Sequence, residues 1–113
     1  MQKIEAIIRP EKLDDVKNAL GDAGFTGLNV VHVTGRGTQR GIVHMGRGGE
    51  SYTVDMLPKV KIEVVVKDSD ADKAVKLIVD AAKTGNIGDG KIFLLPVSDA
   101  VRVRTGERGE SAV

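Results

Sequence analysis

Polar and apolar residues alternate most regularly from Lys59 to Val66. Val60, Ile62, Val64 and Val66 fall on one face and Lys61, Glu63 and Val65 on the other, the two-residue period of a β-strand. Lys3 to Arg9 shows the same period, with Ile4, Ala6 and Ile8 on one side and Ile7 on the other. Pro10 then suits the first turn of a helix, where its missing N–H costs nothing. Glu11, Asp14 and Asp15 follow at the end of the helix dipole that favours negative charge. Leu13, Val16, Leu20 and Ala23 recur at helical spacing until Gly24 ends the run. Leu28 to Thr34 is a β-rich segment containing Val30, Val31 and Val33.

The second half repeats the arrangement. Ser69 and Asp72 have capping-box spacing, and Ala71, Ala74, Val75, Ile78 and Ala82 form a helical stripe. Lys83 complements its last turn and Gly85 fits the position just beyond the cap. Lys91 to Val97 is the last core strand, with Pro96 placing its end near a sheet edge. Val101 to Arg104 alternates, so an extended backbone would send Arg102 and Arg104 to the same side. Thr105 to Val113 reads as a mobile polar tail.

Strand, helix, strand, strand, helix, strand predicts one α+β domain over residues 1–113, a ferredoxin-like βαββαβ sandwich with both helices on one sheet face. Ile7 and Val65 lie on the opposite face, where one chain offers no cover, so a homo-oligomer is expected. No apolar period survives from Gly35 to about Met56. A loop this long in a compact domain is usually functional. Residues 37–57 are therefore expected to form a protruding loop that orders on a partner.

Composition narrows the function. With 113 residues the chain suits a single domain, small enough for oligomerisation to be expected. A net charge of +1 argues against a polybasic nucleic-acid or membrane-surface protein. The absence of cysteine excludes thiol catalysis, disulfides and thiolate metal sites. Phe25, Tyr52 and Phe93 are the only aromatic residues, too few for base stacking on a sheet. No signal peptide or bilayer-length apolar run is visible, so the expected location is cytoplasmic.

The chemistry centres on Thr84-Gly85-Asn86-Ile87-Gly88-Asp89-Gly90-Lys91. Its glycines permit tight bends and bring backbone N–H groups close to an anion, while Lys91 adds positive charge. Gly85 to Lys91 also spells G-x-x-x-x-G-K, but Ile92 stands where a P-loop needs Ser or Thr. A P-loop also runs from strand into helix, whereas this one runs from helix into strand. Arg102 and Arg104 supply forked donors for phosphate, and Gly35-Arg36-Gly37-Thr38-Gln39 forms a second glycine-bearing turn. These three pieces read as one nucleotide site. Lys59 follows Pro58 at a rigid place to hold a cation, and the amide of Gln39 suits a metal or a carboxylate. His32 and His44 lack a second ligand at metal spacing, and Asp89 has no nucleophile paired with it. No catalytic constellation emerges.

Gly35 to Gly41, Arg47 to Asp55, Leu57 to Glu63, Thr84 to Phe93 and Val101 to Gly106 together resemble the PII nitrogen-regulatory signal proteins of the GlnB/GlnK type, as do Ile7 to Pro10 and Lys12 to Asp14. The resemblance spans nearly the whole chain. It implies a homotrimer with a cleft between subunits for ATP or ADP, 2-oxoglutarate bound together with Mg-ATP, and a long loop that docks on partners. Phosphates would lie against Gly37, Thr38, Gly88, Asp89, Gly90 and Lys91, with Arg102 and Arg104 from the neighbouring chain and residues 102–113 as its C-terminal segment. Gly35, Glu63 and Val65 would line the adenosine. Gln39 would meet Mg2+ and 2-oxoglutarate. Lys59 would pair a 2-oxoglutarate carboxylate beside Gly37, Ile87 and Gly88, with Arg9 at the far carboxylate.

Three departures are visible. Thr38 stands where many relatives have Arg, with Arg36 and Arg40 nearby to compensate; Asn29 replaces a common Thr; and the loop is one residue longer before Tyr52. Tyr52 matches the family's uridylylated Tyr with that extra residue bulged out, and Ser51 is a second modification candidate. The implied partners are an ammonium transporter, with reversible membrane association through it, and glutamine synthetase or other nitrogen-metabolism enzymes and regulators. The implied protein is a regulator and not an enzyme, slow ATP hydrolysis aside. Two alternatives are a PII homologue that regulates nitrogenase and a nucleotide-using enzyme.

Overall fold

A computed structural model of the chain describes residues 1–36 and 56–113, together with the backbone of two short strands at 42–45 and 51–54. The main sheet has four antiparallel strands: β1 (Gln2–Ile8), β2 (Leu28–Gly35), β5 (Leu57–Val66) and β6 (Gly90–Pro96), in the order β2-β5-β1-β6. Helices α1 (Leu13–Asp22) and α2 (Ala71–Ala82) pack against one another, and α2 also packs on β1. This is the expected ferredoxin-like sandwich.

Alternation accounts for the core. Ile4, Ala6 and Ile8 of β1 and Val60, Ile62, Val64 and Val66 of β5 point to the helix side and are buried, against Val16 and Leu20 of α1 and Ala71, Ala74 and Ile78 of α2. Small side chains on α2 let that helix lie close to the sheet. The register aligns Ile8 with both Val60 and Gly90, and Glu5 with both Glu63 and Phe93. Gly24, at φ +92°, ends α1 as expected. The N–H of Gly24 donates to Gly21 O and that of Phe25 to Leu20 O, closing a Schellman motif.

The opposite face of the sheet is open. Lys3 bridges Glu5 and Glu63 at 3.1 and 3.3 Å, and Lys61 meets Glu63 at 3.3 Å. Val31, Phe93 and Leu95 share that face and are 40–47% exposed. Ile7 and Val65, the two residues expected there, are half-buried.

Five local expectations are corrected. First, Pro10 does open the first helical turn, but that turn, Pro10–Lys12, is 3-10, and α-helical geometry starts only at Leu13. Second, the Ser69–Asp72 capping box does not form. Asp68–Asp70 is a 3-10 turn in which Asp70 N donates to Lys67 O, and the N-terminus of α2 carries no side-chain cap. Third, α2 ends at Ala82 and leaves through extended Lys83, so Gly85 lies further into the following loop than a cap residue would. Fourth, β5 begins two residues earlier than the pattern suggested. Pro58 is tolerated there because it faces Thr34 of β2 at a level β1 does not reach, its first partner being Val60.

The fifth concerns the C-terminal segment, which is built and not a free tail. Val101 and Arg108 form a bridge around a turn at 103–105, and a 3-10 turn, Gly109–Ala112, follows. The Asp99 carboxylate holds this turn together, accepting from Ala100 N, Gly109 N and Arg108 Nη1 at 2.8, 3.1 and 2.8 Å.

Between β2 and β5 the chain forms β3 (Ile42–Met45) and β4 (Ser51–Val54), paired antiparallel with Ile42 opposite Val54 and Met45 opposite Ser51. The apolar pattern predicts no element over this stretch, since four-residue strands are too short to show a period.

Candidate functional site

Residues 84–91 leave α2 and enter β6, and three glycines set their path. Gly85, Gly88 and Gly90 take φ of +90°, +101° and +109°, where side chains are strained. The loop is pulled together from inside by Asp89. One carboxylate oxygen, Oδ2, accepts the N–H groups of Thr84 and Gly85, both at 2.9 Å. The other, Oδ1, accepts the Thr84 hydroxyl and, at 3.2 Å, Arg9 Nε. Thr84 Oγ1 in turn accepts the N–H of Asn86 at 3.1 Å. The Thr84 hydroxyl contributes most to holding the Asp89 carboxyl well below the usual carboxylate range, and the backbone N–H groups and Arg9 act in the same direction.

Two cations brace the loop from the sheet. Arg9, just past the end of β1, donates Nη2 to Ile87 O at 2.8 Å. Lys59 of β5 donates Nζ to Gly88 O at 2.6 Å. Burial is the main cause lowering the Lys59 pKa, and the positive charge of Arg9 lowers it further. Two neighbouring cations, one of which lowers the pKa of the other, make a place where a carboxylate or phosphate is electrostatically favoured.

Holding those two carbonyls also orients the amides. No described peptide bond is cis, and in a trans peptide the C=O and N–H of one plane point in opposite directions. With Ile87 O and Gly88 O turned toward the cations, the N–H groups of Gly88 and Asp89 point the other way. The loop therefore has a carbonyl face held by Arg9 and Lys59 and an amide face turned from them, the arrangement an anion needs.

The structure thus brings Arg9, Lys59, Ile87, Gly88 and Asp89 together across long stretches of sequence, with Gly90 and Lys91 continuing into β6. Glu63 and Val65 lie further along β5, three and five residues from Val60, which is about 10 and 17 Å at strand spacing. The Glu63 carboxylate is paired with Lys3 and Lys61, which hold its pKa down. Gly35 ends β2 opposite Leu57. Arg102 and Arg104 do not project from an extended strand as expected, because the chain turns between them. Arg102 contacts Ser111 O at 3.1 Å and the Glu107 carboxylate at 3.6 Å. Gly37, Thr38, Gln39 and Arg40 lie outside the described residues, as do the side chains of Ser51 and Tyr52. Among the described residues no cluster of His, Asp and Glu could hold a metal.

Sequence reasoning missed the inward turn of Asp89 and the part played by Thr84. The available signal was an Asp five residues after a Thr with glycines between, since short polar side chains bind nearby backbone in such turns.

Fold and site define a ferredoxin-like α+β domain carrying a cation-braced glycine loop. A family model for "Nitrogen regulatory protein P-II" matches residues 1–107. The chain is 57% identical to Nitrogen regulatory protein P-II 2 of Methanothermobacter thermautotrophicus, an alignment covering all of this chain and 97% of that protein. It is 56% identical to Nitrogen regulatory protein P-II of Rhodobacter capsulatus and 52% to Nitrogen regulatory protein P-II 1 of Escherichia coli, in both cases over the full length of both proteins. The chain belongs to the P-II nitrogen regulatory protein family, and its role is in nitrogen-regulatory signalling. No helix among the described residues is long and apolar enough to cross a membrane.

Proposed function

We propose that this protein senses ATP, ADP and 2-oxoglutarate and passes that state to nitrogen-metabolism partners through its long loop. The observation that supports this best is the two-faced loop at 84–91. Its amide face suits nucleotide phosphates at Gly88, Asp89, Gly90 and Lys91, while Arg9 and Lys59 offer paired cations for a dicarboxylate beside it. Gly37, Thr38 and Gln39 complete the phosphate side in this reading, and Gly35, Glu63 and Val65 line the adenosine. Arg102 and Arg104 reach the phosphates of a neighbouring chain.

The open sheet face supports a homotrimer in which that neighbour is a second copy packed through Val31, Phe93 and Leu95. Mg2+, held by Gln39 with phosphate and 2-oxoglutarate oxygens, would neutralise charge between the anions. Its fit rests on the polar amide of Gln39, which lies outside the described residues.

The switch is a population shift. 2-Oxoglutarate beside Gly37, Gln39 and Lys59 changes the anchor of the long loop and so the fraction of molecules able to dock. The partners are an ammonium transporter of the Amt type and enzymes such as glutamine synthetase, with a cytoplasmic protein recruited to the membrane only through the transporter. A regulatory and not an enzymatic role fits Asp89, whose carboxylate is engaged by four donors and so is poorly placed to act as a base.

Calorimetric titration of 2-oxoglutarate tests the reading. Binding with Mg-ATP present and none with ADP is the expected result. Equal binding in both, or none in either, would remove 2-oxoglutarate sensing.

A further inference from the structure

We propose that Asp89 is a positioning residue that makes the 84–91 loop competent for phosphate, its carboxylate holding the loop and Arg9 while it touches no phosphate itself. The inference rests on the nucleotide reading above and assigns a part to a carboxylate that is spent on the amides of the first half of the loop. An anionic side chain in a loop meant for an anion is otherwise a liability, since like charges a few ångströms apart repel. The geometry removes the conflict. Both Asp89 oxygens are turned inward onto Thr84 N, Gly85 N, the Thr84 hydroxyl and Arg9 Nε. Its charge is thereby matched by the guanidinium of Arg9 at 3.2 Å and by three N–H and O–H dipoles.

Two consequences follow from those four contacts. The N–H groups of Thr84 and Gly85 are drawn to Asp89 and that of Asn86 to Thr84 Oγ1, so the first half of the loop turns its amides inward. The second half, fixed by Arg9 on Ile87 O and Lys59 on Gly88 O, turns the N–H groups of Gly88 and Asp89 the other way. Asp89 is the joint between the halves. Arg9 meets it through Nε and the loop backbone through Nη2, so one carboxylate sets both the curvature of the loop and the aim of a cation at the paired-cation site. Nucleotide affinity should therefore depend on Asp89 and on the Thr84 hydroxyl, although neither side chain touches the nucleotide.

Asp89→Asn tests this in the full-length protein, with Mg-ATP and ADP as probes in calorimetric titrations. The amide keeps the shape but carries one acceptor oxygen in place of two, and its NH2 meets donors where the carboxylate met them. Both nucleotides should bind at least about 10-fold more weakly, with an unchanged oligomeric state, at a temperature well below the melting transition. Thr84→Val should weaken both in the same way, and Thr84→Ser, which keeps the hydroxyl, should bind like the unmodified chain. If Asp89→Asn fails to fold, the Thr84 pair carries the test, because a merely structural threonine would not distinguish Ser from Val in nucleotide affinity. Asp89→Asn or Thr84→Val binding within twofold of the unmodified chain overturns the assignment. Failure of the unmodified chain to bind either nucleotide overturns the nucleotide reading itself, a different result from a difference between variants.

Discussion

Gly90→Ala is expected to lower the melting temperature by about 15 °C or more, or to prevent soluble folding. Gly90 opens β6 at φ +109°, and a Cβ there would sit 1.8 Å from Ile7 O, 2.9 Å from Ile7 C and 3.2 Å from Ile8 Cα. All three atoms belong to the backbone of β1, which is fixed between β5 and β6 and cannot swing aside as a flexible side chain would. The methyl group can be accommodated only by separating the strands at the Ile8–Gly90 pair, at the place where β6 joins the loop. Strain and lost pairing together should cost about 4 kcal/mol, and a domain of this size loses roughly 4 °C per kcal/mol. Gly85→Ala is the control: φ is +90°, but nothing lies within 4 Å of the added carbon. It should bear only backbone strain, about 1–2 kcal/mol. Thermal denaturation followed by circular dichroism separates the two. Similar melting temperatures for both variants would mean that β6 approaches β1 less closely than described.

The second large effect is expected at Lys59. Lys59→Ala should reduce 2-oxoglutarate affinity in Mg-ATP on the order of 100-fold while changing ADP affinity by only a few-fold. Truncating one member of a desolvated charge pair commonly costs 2–5 kcal/mol, roughly 30- to several-thousand-fold. Lys59 is already partly desolvated and lies beside Arg9, both of which lower its pKa, so a ligand carboxylate there recovers an interaction that water supplies poorly. The variant also releases Gly88 O, so some loss of ADP affinity is expected through the loop. It should remain small, because Arg9 still holds Ile87 O and Asp89 still closes the first half. Equal losses for the two ligands in parallel titrations would show that Lys59 serves the loop alone and not a carboxylate.

Much of this was legible in the sequence where a period ran long enough. The alternation of β5 and β1 gave the buried face residue by residue, and the stripe of Ala71, Ala74, Ile78 and Ala82 gave the packed face of α2. Periodicity could not reveal elements that lack an apolar face of useful length. The strands β3 and β4 have four residues each. The C-terminal turn depends on Asp99 and its contacts with Arg108, Ala100 and Gly109, which leave no hydrophobic signature.

The site divides in the same way. Glycines and cations are visible as residue types, so Gly88, Gly90, Lys59 and Arg9 could be named from the sequence and its resemblance to a family. The direction of a side chain is not written there. The family resemblance implies Asp89 at the phosphates by position, and the fold turns its carboxylate inward, leaving its backbone N–H on the amide face. Arg102 fell similarly, since alternation implied an extended strand and the Asp99 clasp makes a turn.

Calorimetric titration of Mg-ATP into the protein, followed by displacement with ADP, asks whether the braced loop presents its amides to nucleotide phosphates. Saturable binding of one nucleotide per chain is expected, with ADP displacing ATP from the same site. Absence of binding, or an ADP site that fills without displacing ATP, would contradict it.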